Sequence, residues 1–386
     1  MTGEGPGGEP ADDLLAGPRG RRLLSALVGE GSDAEPWAWS AHEDDLGLPG
    51  LAPLPDPLRT ELRERLRRAV STLDLDALRA RSDPRDLLTA FADSVAAARY
   101  WQDPDPEDRA LADPELVEVL RPVARAVAAG PAARWWSDPV DVTAQQHLWW
   151  RFEGRDGYRP IVTGSPGAAA AAWRGWRTAV DAEEERWRTE FPRHTLGRCS
   201  GTWWSTPPDR PELPSSTPVL PGGLGVGMTL IEDEMGIEEV DARALRLRDG
   251  LRVHEVHDAA DWCALVAAHP RSVTFTRRHD WWLATGWDGA WALPDWASVA
   301  REWDGVHLSA RGYLAVSGRV LETAVPGNVV GADTDGVRPG PARTLLAGWN
   351  PGVTHWLTDA VTEVEPPVRW RSLEDRYPLE WAPSRA

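Results

Sequence analysis

Proton transfer near neutral pH is the work of histidine, or of a carboxyl group held outside its ordinary range. Two histidines, His279 and His307, stand in the densest aromatic stretch of the chain, which runs from His279 to Tyr313 and holds six tryptophans. Asp280 follows His279 directly and Asp304 closely precedes His307, so each histidine has a candidate acid–base partner, and Tyr313 adds a phenol. On that reading His279 with Asp280, or His307 with Asp304, is the acid–base pair of a histidine-dependent hydrolase. Ligand contacts are expected from Arg198, Ser200, Trp203 and Ser205 in the segment RCSGTWWSTP, and from Arg278 and Trp281 beside His279. Guanidinium and hydroxyl groups meet phosphate, while indoles either stack a planar ring or fill a core.

Other chemistries are excluded. All 42 basic residues are arginine, so there is no lysine for a Schiff base, a pyridoxal phosphate anchor or a Walker-type phosphate loop. Cys199 and Cys263 are too few for a thiolate metal site or a disulfide framework. His254 and His257 fall three apart in a segment that reads as a strand, where they point to opposite faces. The run of glutamates at 183–185 diverges around a helix. No metal centre is expected. Gly222 to Gly227 is glycine-rich without the spacing of a dinucleotide fingerprint. A net charge of -18 and a pI near 5.0 disfavour nucleic acid, whose binding depends on basic surface. No apolar run is long enough to span a bilayer. The expected partner is therefore a small molecule or a protein, met in the cytoplasm.

The elements that position these residues follow from hydrophobic spacing. The sequence predicts a disordered leader over 1–18, a mainly helical domain over 19–190, an aromatic-rich α+β domain over 191–360 and a wrapping tail over 361–386. Helices are expected from Arg19 to Val28, from Pro57 on the stripe Leu58, Leu62, Leu66 and Val70, from Asp83, and from Asp113 to Gly130 with a kink at Pro122. The charged residues between those stripes read as a solvated face. A strand at Gln145–Phe152, turning at Asp156 and Gly157, precedes a helix from Ala168 to Glu190. In the rear domain, strands are expected at Arg198–Pro207, Val226–Ile231 and Leu251–Val256, with a helix at Asp258–Ala268. Trp281, Trp282 and Trp291 flank Asp288-Gly289 as a hairpin. A short helix with Trp296 and a strand at Val306–Ser309 follow, then a helical fragment to Val320 and an apolar strand region around Thr344–Leu357. Trp37 and Trp39 read as loop anchors, Trp370 and Trp381 as anchors of the tail. The fold class is α+β, a helical region followed by a mixed, largely antiparallel sheet.

The motifs SGTWWS, RRHDWW, PDW to DGVHLSARGYL and AGWNPGVTHWL, in that order over roughly 190–360, resemble a family of uncharacterised actinobacterial proteins. More distantly, their order is similar to the ADP-ribosyltransferase fold. That resemblance implies an NAD cleft, with Arg198, Ser200, Trp203 and Ser205 on its early strand and His307, Ser309 and Tyr313 in its middle segment. It also implies a late-strand glutamate, where this chain has Asn350, Val353 and His355, so the cleft is expected to bind NAD without full catalysis unless Asp304 or Glu322 supplies the acid. A protein-interaction or immunity-type role, with the acidic helical half meeting a basic partner, is the alternative.

Overall fold

The computed structural model describes residues 10–30, 54–151, 160–192, 195–220, 223–233, 238–326, 338–373 and 380–384. The chain opens on α1 (Pro10–Ala16) and α2 (Pro18–Glu30), then α3 (Asp56–Thr72), α4 (Leu75–Ala80), α5 (Leu88–Ala96), α6 (Pro106–Ala110) and α7 (Pro114–Ala129). After β1 (Gln145–Arg151) come α8 (Ala168–Glu190), β2 (Ser215–Pro218), α9 (Val226–Thr229), β3 (Glu239–Leu247) and β4 (Val253–Val256). The central stretch forms α10 (Ala259–Ala268), β5 (Pro270–Ser272), α11 (Thr274–Thr285), β6 (Gly289–Pro294), α12 (Trp296–Val299), β7 (Gly305–Leu308) and α13 (Ala310–Val316). It closes on β8 (Leu321–Pro326), β9 (Arg338–Thr344), β10 (Thr354–Trp356), β11 (Val361–Val364), β12 (Val368–Ser372) and β13 (Trp381–Pro383).

The fold is α+β, with helices at the front and mixed sheets behind. One sheet has the order β13-β12-β3-β1-β2-β10-β7-β4, with β11 also on β3, and a second has the order β5-β6-β9-β8. Antiparallel pairing dominates as expected: among the described residues only β4 with β7 and β6 with β9 run parallel. Helices start where the sequence places a cap. Asp83, Asp105 and Asp113 each accept a backbone N–H and each is followed by proline, which loses nothing in a first turn. Pro122 is accommodated inside α7. The α3 stripe is buried at Leu62 and Leu66, and α10 turns Trp262, Leu265 and Val266 inward.

Several expectations are corrected. From Pro10 the expected leader is a helix that buries Leu14 and Leu15. Trp281 and Trp282 lie on α11, not on a hairpin: Gly286, at φ 70°, ends that helix in a left-handed cap and donates to the Trp282 carbonyl at 2.7 Å. Tryptophan's preference for strands is overridden because Phe275, Arg278 and Trp281 come round to the buried side at helical spacing. The segment 198–207 joins neither sheet. Its backbone is satisfied instead by side chains of α11, with Asp280 accepting from Gly201 N–H at 2.9 Å and Arg277 donating to the Trp204 carbonyl at 3.1 Å. Val226–Thr229 is a short helix rather than a strand, seated by the Gly227 N–H on the Thr217 hydroxyl at 2.8 Å. Residues 321–326 form β8, and the tail contributes three strands to the large sheet. Its tryptophans do anchor it: Trp370 is buried, and Trp381 donates to the Met228 carbonyl at 2.8 Å. Trp37, Trp39, Asp156 and Gly157 fall outside the described residues.

The main hydrophobic core is one cluster reaching from Ala11 to Leu357, so the helical front and the sheets behind share it. Trp262, Trp281, Trp291, Trp296 and Trp349 are among its largest fully buried side chains. Two smaller clusters lie on the large sheet, around Trp356 and around Trp370.

Candidate functional site

The residues singled out in the sequence separate into three places. Around α11, Trp281 donates its indole N–H to the Trp203 carbonyl at 2.6 Å, and Ser205 exchanges hydrogen bonds with Ala347, its hydroxyl donating to the carbonyl at 3.0 Å. Arg278 donates to the Phe191 carbonyl. His279 is fully buried between Trp187 and Phe191. Arg198 and Ser200 are exposed nearby, and Trp203 leans on Trp101 with ring centres 4.7 Å apart. In β7, His307 Nδ1 meets the Thr354 hydroxyl at 2.8 Å. Asp304 is engaged by the Arg252 N–H and the Thr358 hydroxyl, each at 3.0 Å, and by Arg248. Tyr313, on α13, faces Glu232.

Burial shifts how these groups titrate. His307 is pushed down to about 3, by burial first and by His257 second, so it stays neutral. Burial and the neighbouring Arg278 lower His279 as well. Burial and Glu232 hold the Tyr313 phenol well above its usual range. Asp304 does not reach His307; its carboxylate fastens the 248–252 turn to Thr358. The cavity beside the indoles, between Trp176, Trp204 and Trp296, measures about 70 Å³. Small-molecule sites run from roughly 300 to 1,000 Å³, well above that volume. Among the described residues, no three His, Cys, Asp or Glu side chains gather as metal ligands, and no helix is long and apolar enough to cross a membrane.

A larger cavity lies elsewhere, where the front helices meet the turn between α13 and β8. It holds about 600 Å³ and is lined by six arginines and three aspartates, in company with Tyr100, Leu54, Ala97, Ala284 and Val320. Two glycines let its walls approach. A Cβ on Gly17 would sit 2.3 Å from the Leu314 carbonyl oxygen, so the corner between α1 and α2 closes on α13 only without one. Gly318, at φ +76°, turns the chain into the cavity wall, and a Cβ there would come within 2.6 Å of the Tyr100 ring.

The aspartates are already engaged. Asp108 pairs with Arg19, which is 1% exposed and also donates to the Ser94 carbonyl at 2.6 Å. Asp105 pairs with Arg22 at 2.9 Å and Asp113 with Arg59 at 2.6 Å, while both cap helices. Three of the lining arginines, Arg21, Arg99 and Arg319, form no ion pair with a carboxylate among the described residues. Arg21 donates to the Leu15 and Ala16 carbonyls at 3.0 and 2.9 Å, at the end of α1. Arg319 donates to the Ala315 carbonyl at 2.9 Å, at the end of α13. Each guanidinium thus meets a helix C-terminus, where cations are favoured. Burial lowers Arg21 to about 10 even with Asp108 nearby, and its Nε is buried without a hydrogen bond.

Behind this wall lies Glu232. Its Oε2 accepts from the Gly348 N–H at 2.7 Å and its own N–H donates to Asn350 Oδ1 at 2.9 Å. Its Oε1 and the Tyr313 hydroxyl lie close enough to influence each other's titration, yet neither closes a hydrogen bond of good geometry. Burial pushes Glu232 up to about 8, against the pull of Tyr313, the Gly348 N–H and Arg19.

The sequence carried one sign of this cavity, the run Pro18-Arg19-Gly20-Arg21-Arg22, three cations in one turn of an acidic chain. Assigning helical charges to solvent passed over it. No family model, curated protein or solved structure matches the chain.

Proposed function

We propose that this chain binds a small organic anion in the arginine-lined cavity. One observation carries the reading: in a chain of net charge -18, a cavity of about 600 Å³ is lined by Arg21, Arg99 and Arg319, none ion-paired with a carboxylate among the described residues. Guanidinium groups held partly out of water with no carboxylate in direct contact, as Arg21 and Arg319 are, are costly, and an anionic ligand offsets that cost. The volume falls within the range of small-molecule sites. A nucleotide such as NAD belongs to this class, its pyrophosphate being the anionic part, so the nucleotide reading moves from the indole-rich segments to this cavity. Acid–base catalysis by His279 or His307 has no part in it, because both are buried and neither lines this cavity.

The test is thermal unfolding with millimolar pyrophosphate, phenyl phosphate, NAD and citrate, on the wild type and on Ala112→Trp, which places an indole in the cavity at an exposed position. A ligand at one hundred times its Kd adds about 2.7 kcal/mol to the native state. Stabilisation by at least one anion, lost in Ala112→Trp, supports the reading. No stabilisation, or equal stabilisation of both proteins, defeats it.

A further inference from the structure

The corner of the cavity formed by Arg19, Arg21 and Arg319 has a definite charge and a definite set of free donors. Arg19 is neutralised by Asp108. Arg21 lies close enough to both Arg19 and Arg319 for each to act on it as a like charge. The nearest other acid to Arg319 is Asp13, whose carboxylate is paired with Arg311. Three guanidiniums and one carboxylate leave two positive charges unmatched. Arg21 and Arg319 each spend one terminal nitrogen on backbone carbonyls, and Arg21 Nε is buried, so the second terminal nitrogen of Arg21 and the remaining edge of the Arg319 fork are left to bond a ligand.

We propose that the anion is the dianionic phosphate of a phosphomonoester, seated between the Arg21 and Arg319 guanidiniums. This rests on the binding reading above and narrows it. A phosphate monoester carries a charge near two at neutral pH and presents three strong acceptor oxygens, enough to meet both guanidiniums at once. A carboxylate has one charge and two oxygens, which a single fork uses up. The apolar part of the lining, Leu54, Ala97, Ala284 and Val320 among it, receives the organic body of the ester.

Isothermal titration with phenyl phosphate, benzoate and malonate tests this. Phenyl phosphate should bind the wild type at least tenfold more tightly than benzoate or malonate. Arg21→Gln and Arg319→Gln should each weaken it tenfold or more, Arg319→Lys should fall between, and Arg174→Gln, outside the cavity, should match the wild type. The unliganded melting midpoint of each variant confirms that it is folded, and Arg319→Lys keeps the charge should a neutral variant unfold. Malonate or benzoate binding as tightly as phenyl phosphate, or phenyl phosphate binding indifferent to both neutral variants, overturns the phosphate assignment while the broader reading stands. Binding of no anion at all overturns both.

Discussion

Replacing Glu232 by glutamine should stabilise the protein in alkali and leave it nearly unchanged in acid. Four neighbours from four other segments, Arg19, Tyr100, Tyr313 and the Gly348 N–H, surround the Glu232 carboxyl, with Asp233 beside it in the chain. Burial outweighs the attraction of Arg19 and lifts the group from 4.5 to about 8. A carboxyl whose folded value is raised holds its proton in the native state while the unfolded chain releases it. Between those two values the native state therefore binds more protons, and stability falls as pH rises. Each pH unit crossed costs about 1.4 kcal/mol, so the interval removes roughly 4 to 5 kcal/mol by pH 8 and above, with all of it intact below pH 4.5. Glutamine keeps the acceptor for Gly348 and does not ionise. Urea unfolding of the wild type and Glu232→Gln at pH 5.5, 7 and 8.5 reads this directly. The two stabilities should part progressively, with the variant ahead at pH 8.5. A constant gap across the three values would refute the reasoning, since it would mean that Glu232 titrates alike in both states.

Two further changes probe the cavity wall and the β7 turn. Gly318→Ala combines a left-handed backbone with a Cβ 2.6 Å from the Tyr100 ring; a loss of about 2 to 4 kcal/mol in chemical denaturation is expected, and a loss under about 0.5 kcal/mol would show that the turn relaxes freely. Asp304→Asn removes the charge that Arg248 and Arg252 share. Burial would raise Asp304, but the Arg252 N–H, the Thr358 hydroxyl and both arginines hold it below the usual carboxylate range. Its contribution is therefore present above the unfolded value and fades as pH falls through the folded one. The variant should lose about 1 to 3 kcal/mol at pH 7 and converge on the wild type in strong acid; equal losses at both would contradict the assignment.

Much of the scaffold was legible in the sequence because it depends on local rules. Asp83 and Asp113 mark helix starts with a following proline, and the α3, α8 and α10 stripes repeat at helical spacing. The failures came where distant segments decide. RRHDWW forms a helix because α8 and the 198–205 segment cover it, and Trp203 looks strand-like only until its carbonyl is seen taken by Trp281. The cavity was illegible for the same reason. Arg21 and Arg319 are far apart in the chain and reach one cavity through the packing of α1 and α2 on α13. No spacing rule joins them, whereas the dense tryptophans are conspicuous in the sequence and three of them, Trp281, Trp291 and Trp296, lie in the core.

The joining of α1 to α13 also bears on how the polypeptide is made. Asp13 pairs with Arg311 across 298 positions, and Gly17 is pressed against Leu314. A nascent chain leaving the ribosome therefore presents Leu14, Leu15, Leu23, Leu24 and Leu27 long before α13, which covers them together with α5 and α7, has been translated. Until then those leucines have only the neighbouring front helices for shelter. Assembly must finish late, and a premature stop anywhere before residue 316 leaves a greasy amino-terminal remnant fit for chaperones or proteases rather than a smaller working protein.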